Sequence, residues 1–171
     1  MIAGCLQILA MATAVAVAAG PALPHTEAET LSGKKIVLPD AVTGHLTILV
    51  IAFTKRSQSQ TTAWSTQLAH DYAAEPGLER YSIAVLDDVP GFIRGMVASA
   101  IRRGVPTDQH DSFLLIFQDA KPLRELTNVT NPDDAYVILL DRTSHVIAHA
   151  HGSPERAYAV FQTEIHHALS S

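Results

Sequence analysis

Apolar positions along the 171-residue chain fall into short unbroken runs that alternate with longer periodic stretches. Leu46-Thr47-Ile48-Leu49-Val50-Ile51-Ala52-Phe53 is a continuous, β-branched run of strand length. Runs without polar alternation suit strands buried on both faces. Trp64, Leu68 and Tyr72 then recur at i, i+4 and i+8, the stripe of a helix with one buried face. Ser57 followed by Gln60 predicts a capping box at its start, and Glu75-Pro76-Gly77 its end.

The alternation continues. Tyr81 to Leu86 reads as a second buried strand. Pro90, placed for the first turn of a helix, precedes an apolar face of Phe92, Ile93, Met96, Val97, Ala100 and Ile101. Phe113 to Phe117 is a third strand, Pro122 to Leu126 a single helical turn, and Asn131-Pro132-Asp133-Asp134 a breaker. Tyr136 to Asp141 and His145 to His151 flank the turn Arg142-Thr143-Ser144 as a hairpin. Ser153 and Pro154 then start a terminal helix with Tyr158, Phe161, Ile165 and Leu169 as its buried stripe. Upstream, Leu31 to Pro39 forms a small hairpin or opening strand, and residues 25–30 form a polar linker. With right-handed crossovers this order predicts an α/β fold, a central mixed sheet flanked by helices on both faces.

Charge separates the chain into two parts. No Lys, Arg, Asp, Glu or His precedes His25, so the net charge of −5 and all nine histidines belong to residues 25–171. Ile2 to Ala19 is apolar except for Gln7 and Thr13, and Gly20-Pro21-Ala22-Leu23-Pro24 breaks any helix there. Residues 1–24 are therefore expected to be a signal peptide or an N-terminal membrane anchor, and residues 31–171 an exported domain. Small residues at Ala16/Ala18 or Gly20/Ala22 satisfy the pattern of a processing site. Membrane association through this segment is the alternative to export by cleavage. No basic block points to nucleic acid.

Cysteine usage narrows the chemistry. Cys5 is the only cysteine, so an intrachain disulfide is excluded. The polar turn Thr54-Lys55-Arg56-Ser57 joins the first core strand to its helix and carries no thiol. Thr54, Lys55, Arg56, Ser57 and Ser59 surround a helix start, where two cations and free N–H groups suit a small anionic ligand or a partner peptide. The plainer reading is a solvated turn whose serine caps the helix. A nucleophilic role for Ser57 would need a base and an oxyanion hole, and no Gly-x-Ser-x-Gly elbow is present. His145, His149 and His151 fall on one face of a strand. His149 and His151 could share a metal ion if a third ligand joined them, whereas His145 lies too far along the strand. No cofactor is expected.

The Leu-x-Gly-Lys opening at Leu31 to Lys34, the strand–turn–helix at Leu46 to Trp64, and Ala135 to Asp141 before the hairpin together resemble the thioredoxin-like superfamily. The likeness is to its exported redoxin and peroxiredoxin branch and covers roughly residues 31–169. It implies a three-layer sandwich with its site at the Thr54–Ser59 turn. Redoxins carry Cys-x-x-Cys there and peroxiredoxins Thr-x-x-Cys, but here Ser57 stands where the peroxidatic cysteine would be. The family's cis-proline before the later strand is replaced by Ala135, with Pro132 three residues earlier. A looser similarity extends to redox-silent relatives, including mitochondrial ATP-synthase assembly factors. The expected function is binding by a redox-inactive domain, as an assembly or accessory factor or a small-ligand carrier. The candidate surface is Thr54, Lys55, Arg56, Ser57, Ser59 and Ala135. The alternatives are a metal carrier using His149 and His151, or a non-redox enzyme reusing the same turn.

Overall fold

The structure, a computed structural model, describes residues 20–171. Residues 1–19, Cys5 and most of the expected leader or anchor among them, lie outside the described residues. One seven-stranded sheet runs in the order β2-β1-β5-β4-β3-β6-β7. Its strands are β1 (Thr26–Thr30), β2 (Lys35–Leu38), β3 (Leu46–Ala52), β4 (Leu78–Val85), β5 (Phe113–Ile116), β6 (Ala135–Leu140) and β7 (Val146–His151). The helices are α1 (Gln58–Asp71), α2 (Arg94–Gly104), α3 (Lys121–Leu126) and α4 (Pro154–Leu169). Strands β3, β4 and β5 are parallel neighbours, while β6 and β7 return antiparallel.

The unbroken apolar run of β3 has the cause expected of it. The strand lies between β4 and β6, and alternate residues feed two separate cores. Leu46, Ile48 and Val50 join Trp64 and Leu68 of α1 with Tyr158, Phe161 and Ile165 of α4. Leu49, Ile51 and Phe53 join Leu123 of α3, Ile116 and Tyr136 on the opposite face. The three-layer α/β sandwich expected from the sequence is the fold observed.

Four local expectations are corrected. Residues 26–30 are not a linker but strand β1, paired with both β2 and β5. Thr26, Ala28 and Thr30 point inward and alternate with Glu27 and Glu29, a period of two masked by the polarity of threonine. The boundary at residue 24 also falls inside the folded body. Leu23 is buried in the core, its N–H donates to the Ser144 carbonyl, and Val146 N–H donates to the Pro21 carbonyl.

The third correction concerns the start of α1. Ser57 makes no side-chain cap. Its hydroxyl donates instead to the Thr54 carbonyl at 2.8 Å, and Thr54 caps a preceding 3-10 turn, Lys55–Ser57. The fourth concerns α2. Pro90 precedes a separate 3-10 turn, Gly91–Ile93, and no residue of α2 is buried. Phe92 and Met96, expected to face the core, are 90% and 66% exposed.

Candidate functional site

Thr54 leaves β3 extended and starts the 3-10 turn that leads into α1. Its hydroxyl works in two directions. It accepts from Arg56 N–H at 3.2 Å and donates to Asp133 Oδ1 at 2.8 Å. Arg56 Nη1 donates to the other carboxylate oxygen, Oδ2, at 3.2 Å. The loop before β6 is thus tied to the turn where a redoxin would hold its thiols. Hydrogen bonding from Thr54, then the charge of Arg56, holds the Asp133 carboxyl below the usual carboxylate range.

The loop is itself well anchored. Asn131 Oδ1 accepts from Asp133 N–H, and the Tyr136 hydroxyl accepts from the N–H groups of Thr130 and Asn131. Gln60, expected to cap its own helix, instead bridges to this loop. Its Oε1 accepts from Ala135 N–H at 2.8 Å, and its Nε2 donates to Asp134. The backbone group that a facing proline would lack is therefore used to fasten α1 to β6.

The six expected residues separate into three groups. Thr54 and Arg56 are engaged with Asp133. Ser57 and Ala135 are completely buried, so neither presents a reactive group to solvent. Lys55 and Ser59 are exposed, and among the described residues Lys55 has no acidic partner. Sequence reading missed Asp133, Gln60 and Asp134. Asn131 to Asp134 carried only the signal of a turn, and nothing local showed that it would meet Thr54.

His149 and His151 share the outward face of β7 as expected, whereas His145 falls before the strand. His145 lies in the turn before β7, where its backbone N–H donates to Asp141 Oδ1. His151 stacks on Tyr136 with ring centroids 5.8 Å apart and sits 3.6 Å from Asp134. His149 is exposed on the same strand. Among the described residues no three His, Cys, Asp or Glu side chains converge on a common point. The third ligand required alongside His149 and His151 is missing from the described residues.

A groove opens beside the site between α1 and α2, above β4 and β5. Its upper part encloses about 540 Å³ and reaches Thr54 and Lys55. A lower part of about 470 Å³ continues past Ser65 and Ser82 to Arg80 and Asp108. The two share Ala52, Thr61, Gly104 and Phe113 along their length.

The mixed sheet, the strand–turn–helix at Thr54 and the loop facing it define a thioredoxin-like fold. Solved structures agree on the fold. BsSco, a member of the Sco family of cytochrome c oxidase assembly proteins, is 15% identical, with a TM-score of 0.60 over 87% of this chain and 94% of that one. The thioredoxin domain of the thiol-disulfide oxidoreductase BVU-2223 from Bacteroides vulgatus is 16% identical, with a TM-score of 0.58 over 86% and 99%. The pneumococcal exposed lipoprotein thioredoxin Etrx1 from Streptococcus pneumoniae strain TIGR4 is 13% identical, with a TM-score of 0.57 over 84% and 99%. Residues 18–156 match the family model described as "ATP10 protein", and the chain belongs to that family. No curated protein matches it.

Proposed function

We propose that this protein is an assembly or accessory factor that acts by binding a partner protein and has no thiol redox activity. The observation that carries this reading is the Thr54–Asp133–Arg56 network. A redoxin keeps the space between its cysteines and its cis-proline open for a substrate. Here that space is bridged by hydrogen bonds and a charge pair. Ser57, at the place of the peroxidatic cysteine, is buried and donates to a backbone carbonyl, so it offers no nucleophile there.

A closed cleft next to exposed apolar side chains favours a protein partner over catalysis. Phe92 and Met96 are one helical turn apart and belong to the segment that walls the groove at Lys55. Membership in the ATP10 family supports an assembly role, as does similarity to BsSco, itself named for a family of oxidase assembly proteins. The ATP synthase named in the family resemblance is the first complex to examine. Export of the domain belongs to the same proposal, supported by the uncharged apolar stretch before His25 and by likeness to an exposed lipoprotein. No helix among the described residues is long and apolar enough to cross a membrane.

Crosslinking in the native cell tests the partner. The wild-type chain should crosslink to a subunit of a membrane complex under assembly, and Phe92→Ser/Met96→Ser should lose that product while keeping its melting temperature. Crosslinking that is unchanged in the double variant refutes docking through this face. A second measurement addresses the chemistry. Purified protein should reduce neither insulin nor hydrogen peroxide above background, and Ser57→Cys should gain no peroxidase activity, because the new thiol would be buried without a base. Turnover by the wild type would overturn the redox-silent reading.

A further inference from the structure

We infer that the upper groove between α1 and α2 binds a single-chain amphiphile, with its apolar tail along Ala84, Val97 and Ile101 and its anionic head on Lys55. This ligand site goes beyond the assembly reading and stands or falls separately from it.

The groove exists because its floor is made of small residues. Ala52 and Ala84 stand where larger side chains would fill the space between the helices, and Phe113 closes the side toward β5. Val97 and Ile101 turn from α2 toward this floor yet are only half-buried, so among the described residues part of their apolar surface stays uncovered. A volume of about 540 Å³ is that of a small-molecule site.

The polar groups decide which ligand fits. Lys55 is the one charged residue lining the upper groove, and no acidic residue lines it. Among the described residues its ammonium has no ion-pair partner, so it complements an anionic head at the mouth. Arg80 and Asp108 enter only in the lower part, where the walls turn polar and the tail would stop.

An extended peptide fits poorly, because its N–H and C=O groups would find few partners. Strand β4 is already paired on both edges, and the Thr61 hydroxyl already donates to the Gln58 carbonyl. A helical peptide satisfies its own backbone but is about 10–12 Å across, so a space of about 540 Å³ holds little more than one turn. An alkyl chain carries no backbone polar groups and has the narrow section that the groove requires.

The test uses the full chain and a dansyl-labelled undecanoic acid. Saturable uptake of one molecule per chain is expected, displaced by palmitate or by lysophosphatidic acid but not by hexadecanol. Whichever of the two anions displaces better identifies a free fatty acid or a phospholipid as the source of the head. Lys55→Gln should weaken binding about tenfold, the effect of losing one charge-assisted contact. Ala100→Phe on the groove wall should abolish uptake with an unchanged melting temperature. Undiminished binding by Ala100→Phe would place the amphiphile elsewhere, the N-terminal apolar segment included, and overturn the proposal. Equal displacement by hexadecanol, or stronger displacement by an apolar peptide, would also overturn it.

Discussion

Replacing Trp64 with alanine should destabilise the protein by about 3–5 kcal/mol, the range for truncating a fully buried aromatic. The indole is completely buried and packs at 5.6 Å against both Tyr158 and Phe161. Its Nε1–H donates to the Gly152 carbonyl at 2.8 Å, joining α1 to the segment between β7 and α4. The variant loses dispersion contacts and leaves a cavity, and it also removes the donor to the partly buried Gly152 carbonyl. Trp64→Phe keeps most of the packing and should cost about 1–2 kcal/mol, the worth of the unmade hydrogen bond with some lost contact. Urea unfolding followed by circular dichroism measures both. Similar losses in the two variants would show that the hydrogen bond, not the packing, dominates.

The second large effect is expected at Asp87, at the end of β4. Arg124 of α3 donates to both carboxylate oxygens through Nη1 and Nη2, and Ala120 N–H donates to Oδ2. The same guanidinium lies 5.2 Å from the centre of the Phe53 ring. Asp87→Asn should cost about 2 kcal/mol at neutral pH. A fully buried pair would lose more, but the Arg124 side chain is 30% exposed and solvent screens it.

The pH dependence follows from the same contact. Hydrogen bonding from Arg124 holds the folded Asp87 carboxyl below its ordinary value of 3.8. The unfolded chain therefore binds the proton more readily than the folded one, and stability falls as the carboxylate is protonated. The contribution is fully present well above pH 3.8 and is lost as pH drops through the folded-state value. Wild type and Asp87→Asn should thus differ in melting temperature at pH 7 and converge as pH falls below 3.8 through the folded-state value. A gap that persists at low pH would assign the loss to packing instead of charge.

How far the sequence reveals this fold depends on what each element buries. Strands β3 and β6 bury long apolar runs and α4 a periodic apolar stripe, and these patterns are unmistakable from the residues alone. Strand β1 escapes because Thr26 and Thr30 fill interior positions with side chains that read as polar, while Glu27 and Glu29 face out. Helix α2 fails in the opposite direction. Its amphipathic stripe is genuine, but Phe92 and Met96 turn to solvent, and periodicity cannot say what covers an apolar face.

The candidate site divides in the same way. Its near half, Thr54 to Ser59, is continuous in the chain and was legible as a helix start that lacks a thiol. Its far half was not, because Thr54 and Asp133 are 79 positions apart and meet only once β3 and β6 pair. The substitution of serine for cysteine implied loss of function at the turn. Asp133 adds what the sequence could not show, the ties to Thr54 and Arg56 across that turn.

The contact between residues 21–23 and the β6–β7 turn bears on where a leader, were one removed, would be cut. Ala22 forms a bridge with His145, between the bonds made by Pro21 and Leu23. A peptidase cutting after Ala18 would leave this clasp whole, with residues 21–23 still bonded to the turn and to the start of β7. One cutting after Ala22 would remove the Pro21 carbonyl and the Ala22 bridge, leaving Leu23 as a charged new terminus at the edge of the core. If residues 1–24 are processed as a leader, the two small-residue sites are therefore unequal in what they leave behind, and the earlier cut keeps more of these contacts.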